Sequence, residues 1–425
     1  MRRPQHPTRS PQPDDTVEYA EGPRASARAD AARRRKYRRR RIGVAFAVVA
    51  VLVIAAGGIY VATLFARVSD NIAANIVERP DGAAVEIPDW NGPVNLLIMG
   101  SDTRADLTSG TYGDDDVEGS RSDTLMLLHV NAAHTDATLV SIPRDTMTAR
   151  PECTYPDGST SDAQDVAQIN GAFDVGPFCT LDTVREMTGI DVDHFVVVNF
   201  DGFIDITNAV GGVDVCLAEP VSDPDSQLFL EAGPHTIQGA EALAFVRTRY
   251  GIGDGSDLGR IHTQQVYLSA LARKVKSAGT LANPVALFNL ADAATRSIQV
   301  DSGLSDTSTL VGLASTLATV DLGNMTLLQM PAEDYPEDTN RVQPSPEAET
   351  LWAALRADQP VRLGVSDAVV PEPGDDAADG GEGEADGGET TTAPETDATP
   401  ATDPAVTLGP DVRGQTADNA TCAGG

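Results

Sequence analysis

The chain has 425 residues, a formal net charge of −32 and 41% hydrophobic residues, which supports one large folded domain with appendages and excludes a wholly disordered chain. The charge is uneven: the first 41 residues hold 13 Lys and Arg against 5 Asp and Glu, and the remainder carries 18 against 58. Such asymmetry marks a chain that crosses a boundary, and it makes any cluster of cations in the acidic remainder informative.

Residues 1–41, rich in Pro, Arg and Ala, are predicted to form a basic disordered tail. Residues 42–66 contain no charged side chain and are long enough to span a bilayer as a helix. The arginines of 33–41 place that flank in the cytoplasm. The apolar run exceeds a usual signal-peptide core and follows a long tail, so an uncleaved single-pass anchor is expected, with everything after Arg67 outside. Residues 67–93 read as a stalk, with a short helix over 68–77 and Trp90 as a packing foot.

The folded domain is expected over 94–364. Strands are predicted at Asn95–Gly100, Arg121–Val130, Thr138–Pro143, Phe195–Phe200, Val213–Leu217 and Met325–Met330, where short apolar or valine-rich runs end in turn residues. Helical spacing covers Thr180–Thr188, Gly202–Val210, Gln238–Ala244, a long segment ending near Ser277, Pro284–Ile298 and Thr307–Val320. This alternation predicts an α/β fold, a central mixed β-sheet with helices on both faces. Residues 365–425, dominated by Asp, Glu, Gly, Thr, Ala and Pro, are predicted to be a disordered acidic tail, with Cys422 unexplained.

Four cysteines, Cys153, Cys179, Cys216 and Cys422, follow the anchor, in a compartment where disulfides persist, and allow three full pairings. Cys153 and Cys179 bracket one loop-rich segment and are the preferred pair. Zinc is disfavoured because no CxxC or paired histidines accompany them.

The stretch from Leu243 to Gln265 has the chemistry of an anion site. Arg247 and Arg249 are two apart, so an extended backbone would send both to one face. Arg260 and Gln264 are spaced i, i+4 on one face of a helix continuing through Tyr267, Leu268 and Leu271. Arginine suits phosphate because its planar fork donates two parallel bonds and never loses its charge. Surface arginines balancing an acidic protein are the plainer alternative. Asp102 and Asp123 each stand at a predicted strand end, where they serve either as turn residues or as carboxylates for Mg2+ beside a phosphate.

Together these segments resemble the LytR-CpsA-Psr family: Gly100-Ser-Asp-Thr-Arg104, Arg121-Ser-Asp-Thr-Leu-Met126, Ser141-Ile-Pro-Arg-Asp145, Ile169-Asn-Gly-Ala-Phe173, Val210-Gly-Gly-Val213, and Val246-Arg-Thr-Arg249 with Gly255-Ser-Asp-Leu-Gly-Arg260 and Gln264-Gln265. The resemblance implies a single extracytoplasmic catalytic domain. The activity it implies is a phosphotransferase that takes a glycopolymer from a polyisoprenyl pyrophosphate and joins it to peptidoglycan through a phosphodiester. By the same resemblance Asp102 and Asp123 are Mg2+-associated, Arg121, Arg144, Arg247, Arg249 and Arg260 hold the pyrophosphate with Gln264, and Arg247, Arg249, Arg260 and Asp123 carry the chemistry. Asn170 and Asp257 fall in family motifs without a defined role. His262 and Thr263 stand where many members have further arginines. Two other classes remain open, a non-catalytic binder of polyprenyl phosphate or wall polymer and a hydrolase releasing the polymer. A nucleic-acid partner is not expected, because the only cytoplasmic part is a short tail without a DNA-binding fold.

Overall fold

The computed structural model describes residues 23–83, 85, 92–101, 122–248, 257–277, 283–364, 405–420 and 422–423. The chain divides into two units, residues 1–65 and 66–425. In the first, helix α1 (Pro23–Ala74) begins. Its stretch from Tyr37 reaches a mean hydropathy of 2.7 with no burial, long and apolar enough to cross a membrane. Phe46, Ile54, Tyr60 and Phe65 all stand exposed, which an apolar surrounding would relieve and water would not. The expected disorder of 1–41 is corrected over 23–41, which is helical. Ala and Arg are strong helix formers, Pro is tolerated at a helix start, and turns added to an existing helix need no new nucleus.

The second unit is built on a mixed sheet of eight strands: β1 (Ile76–Val77), β2 (Val94–Ser101), β3 (Ser122–Val130), β4 (Ala137–Ile142), β5 (His194–Val198), β6 (Ile298–Asp301), β7 (Met325–Gln329) and β8 (Gly414–Thr416). Their spatial order is β1-β6-β5-β2-β3-β4-β7-β8. The pairs β1/β6, β5/β2 and β4/β7 are parallel and the others antiparallel. The helices around it are α2 (Pro177–Thr188), α3 (Phe200–Val210), α4 (Gly239–Arg247), α5 (Asp257–Lys276), α6 (Pro284–Ser297), α7 (Thr307–Thr319) and α8 (Pro346–Arg356).

Side chains alternate across the sheet with period two, so each strand feeds two cores. Leu97, Met99, Leu125 and Leu127 face one way and meet Phe178, Leu181 and Val184 of α2 and Leu351, Trp352 and Leu355 of α8. Leu96, Leu128 and Val130 face the other way, against Val68 and Ile72 of α1 and Leu313 of α7. Both faces are therefore covered by helices, as expected for this class. A third core lies under α4 and α5, where Phe245, Val266 and Tyr267 pack on the hairpin of strands 213–217 and 233–237.

Two expected boundaries are corrected. Part of the stalk belongs to the domain: Asn71 Nδ2 donates to Asp292 Oδ1 at 3.1 Å, Asn75 Nδ2 to Thr295 O at 3.2 Å, and β1 pairs with β6. Trp90 lies outside the described residues. The acidic tail is also not uniformly without structure. Residues 406–408 pair in parallel with 361–363, β8 adds to the sheet beside β7, and Cys422 is bonded to Cys216. The composition of 365–425 as a whole hides two short β-forming runs, and Leu408 and Ala417 supply buried apolar surface at the points where the segment docks. Residues 365–404 lie outside the described residues.

Candidate active site

Register brings the motif segments to one sheet edge. Gly100 pairs with Thr124 on one side and Val198 on the other, while Leu125 faces Ile142. The carboxyl ends of β2, β4 and β5 and the start of β3 thus meet at the edge where open α/β sheets hold ligands. Helix α3 starts there: Asn199 caps it by accepting from Gly202 N at 2.8 Å. Gly202 is required by close approach, since a Cβ would come within 2.6 Å of Ser297 O on α6.

At this edge α3, α4 and α5 close a cavity of about 470 Å³ over the sheet. Its body is apolar, lined by Ile98, Met126, Val198, Phe203, Leu243, Leu268 and Leu271, and its polar lining includes Arg247, Arg260 and Gln264. Arg260, Gln264, Tyr267, Leu268 and Leu271 reach it from one face of α5, the i, i+4 stripe read in the sequence. Gln264 Nε2 donates to Thr124 Oγ1 at 3.3 Å and to Val246 O at 3.2 Å, tying α5 to β3 and α4. The Arg247 guanidinium lies 4.6 Å from the Phe200 ring centroid. Burial pushes the Tyr267 hydroxyl up, so this group stays protonated and neutral in the wall.

The other expected residues are placed as follows. Arg144 follows β4 at the same edge but does not line the cavity; its Nε is 3.6 Å from Asp145 Oδ2, and Asp145 Oδ1 is 3.0 Å from Arg341 Nη1. Asn170 donates its backbone N–H to Arg144 O at 3.3 Å. Arg121, Arg249 and Asp102 lie outside the described residues, as do the side chains of Asp123 and Asp257. Arg247 ends helix α4, with Thr248 the first extended residue, so the reading of an extended Arg247–Arg249 stretch is corrected: the helix runs three residues past Ala244. Among the described residues no group of three or more His, Cys, Asp or Glu is placed to hold a metal. The pairing of Ser101 with Ser122 brings the chain adjoining Asp102 beside the chain adjoining Asp123.

Two residues escaped the sequence reading, Asp223 and Ser226. Asp223, 1% exposed, accepts from Thr248 Oγ1 at 2.6 Å and from the backbone N–H groups of Asp225 and Ser226 at 3.0 and 3.3 Å. Ser226, also buried, lines the cavity, and its hydroxyl has no hydrogen-bond partner among the described residues. No spacing pattern links these positions to Thr248. The buried histidines stand apart from the cavity: His194 Nδ1 is 2.8 Å from Asp301 Oδ1, and His129 Nδ1 is 2.8 Å from Asn95 Oδ1, at the opposite end of β2. Cys153 and Cys179 are joined, packing with Ala172 beside the turn that carries Asn170.

Fold and site together define an α/β protein with an apolar cavity rimmed by arginine, suited to an amphiphile with an anionic head. The sequence model of the LytR_cpsA_psr family matches residues 59–357, and the chain belongs to that family. It is 34% identical over 289 residues to the cell wall biosynthesis protein LcpA of Corynebacterium glutamicum, covering 62% of this chain and 54% of that protein. To the probable cell wall biosynthesis protein LcpB of the same organism it is 37% identical over 217 residues, 49% of this chain and 48% of the other. The chain thus spans about half the length of these curated relatives. The polyisoprenyl-teichoic acid–peptidoglycan teichoic acid transferase TagT of Bacillus subtilis is 29% identical over 315 residues, 71% of this chain and 89% of TagT. A LytR-Csp2A-Psr enzyme from Actinomyces oris shares the fold, with a TM-score of 0.50 at 24% identity over 66% of this chain and 96% of that one.

Proposed function

We propose that this chain is a membrane-anchored phosphotransferase, with its N-terminus cytoplasmic and its α/β domain outside, that moves a glycopolymer from a polyisoprenyl pyrophosphate carrier onto peptidoglycan. The observation that supports this most is the pairing of an apolar cavity with Arg247, Arg260 and Gln264 in its wall. An isoprenyl chain and a pyrophosphate are the two halves of one amphiphile, and each half meets its complement here. The transferase name of TagT agrees with that chemistry.

In the proposed reaction an acceptor hydroxyl oxygen attacks the phosphorus bonded to the glycopolymer. The bond from that phosphorus to the bridging oxygen breaks, polyisoprenyl monophosphate leaves, and the hydroxyl proton passes to solvent or a carboxylate at the sheet edge. Phosphoryl transfer asks a protein mainly to position the groups and to stabilise charge on the equatorial and leaving oxygens. Arg247 and Arg260 do this from the cavity wall, with Arg121, Arg144 and Arg249 assigned to the same task. Asp102 and Asp123 are the proposed holders of Mg2+, which when bound would neutralise charge on the pyrophosphate.

The test is transfer of a labelled pyrophosphate-linked donor to peptidoglycan with Mg2+ present. Arg249→Ala and Asp123→Ala should each lower the rate by about a hundredfold in a folded protein. Wild-type rates from either would remove the assigned site. Metal-independent binding without turnover would instead point to a binder, and phosphate ending on water to a hydrolase.

A further inference from the structure

The end of helix α4 is fixed by a side chain from elsewhere in the chain. Arg247 is its last residue, and Thr248 turns out of it into extended backbone, its N–H still bonded to Ala244 O. The Thr248 hydroxyl donates to Asp223 at 2.6 Å, and both residues are 1% exposed. Asp223 belongs to the hairpin of strands 221–223 and 228–230, whose turn also brings Asp225 and Ser226 to the cavity. The two backbone N–H groups that Asp223 accepts are a local turn, which an exposed aspartate would make as well. The bond to Thr248 is not local, and burying a carboxylate is costly unless each oxygen is matched by a donor.

We infer that Asp223 is a positioning residue that acts through Thr248 to set Arg247, the arginine that precedes it. Arg247, the last residue of α4, lies over the Phe200 ring, and a short hydrogen bond to a buried charge holds the residue that follows it, where the chain leaves the helix. The inference deepens the phosphotransferase reading and rests on it in one respect, the role of Arg247 as a pyrophosphate ligand.

The experiment measures binding of two probes to the detergent-solubilised full chain by calorimetry: geranylgeranyl pyrophosphate, which needs cavity and arginines, and geranylgeraniol, which needs the cavity alone. Thr248→Val keeps shape and removes the hydroxyl. It should weaken pyrophosphate binding by about tenfold or more, the worth of a hydrogen bond to a charged group, and leave the alcohol within about twofold. Thr248→Ser should restore the pyrophosphate affinity. Equal loss for both probes would mean a structural role only and would overturn the inference, as would wild-type affinities in Thr248→Val. Should Thr248→Val not fold, Thr248→Ala against Thr248→Ser gives the same comparison. Arg247→Ala separates the two levels. If it leaves pyrophosphate binding unchanged, the arginine assignment itself fails and takes the inference with it; if it weakens binding where Thr248→Val does not, the inference alone fails.

Discussion

Arg247 carries more than a positive charge, because its guanidinium carbon sits over the Phe200 ring at the start of α3. An ammonium at this position keeps the charge but loses the fork and most of the stacking. Arg247→Ala should therefore lower transfer about a hundredfold, and Arg247→Lys should recover only part of it, measured with the same labelled donor. His262, two residues after Arg260 in α5, gives a second expectation. Burial, and then the nearby charge of Arg413, hold its imidazole below the ordinary value of 6.5. The unfolded chain thus binds more protons in the window below 6.5, so this contribution to stability is full above it and drains away as pH falls through it. His262→Gln should flatten that part of the melting-temperature profile between pH 7.5 and 5. Arg260, Gln264 and Tyr267 were legible because helical spacing alone places them on one stripe. Asp223 was not, since its partner lies 25 residues away and neither residue type signals the bond.

Helix α5 is held from two sides. One face lines the cavity; elsewhere Ser269 Oγ accepts from Gln415 Nε2 at 2.7 Å, and Arg273 Nη1 donates to Ala417 O at 2.8 Å and Asn419 O at 2.6 Å. The C-terminal segment is thus a support of the helix that presents Arg260. Removing residues 405–425 should lower the melting temperature and reduce transfer, whereas removing 365–404 with a short replacement linker should change neither; differential scanning calorimetry and the transfer assay distinguish the two. The central strands could be read in advance because each is a short apolar run closed by turn residues. The docking of 405–423 could not, because three-residue strands lack periodicity and gain their stability from partners far away in sequence. Helix α8, whose Trp352 fills one core, likewise carried a weaker signal than its burial warrants.

At the scale of the molecule, the link between Cys216 and Cys422 spans 206 positions and includes the acidic stretch. In the loop-entropy account such a cross-link stabilises by about 5 kcal/mol, against about 3 for the Cys153–Cys179 link. What composition presents as a loose tail is, in connectivity, part of a covalent ring. A protease site introduced between Gly364 and Ala405 should, once cut, yield a protein that migrates as one species without thiol and sheds a C-terminal peptide when thiol is added. Release of that peptide under non-reducing conditions would show the ring to be open. A nick there would accordingly cost the domain its continuity but not its last strand, so shedding the segment would take two events, a cut and a reduction.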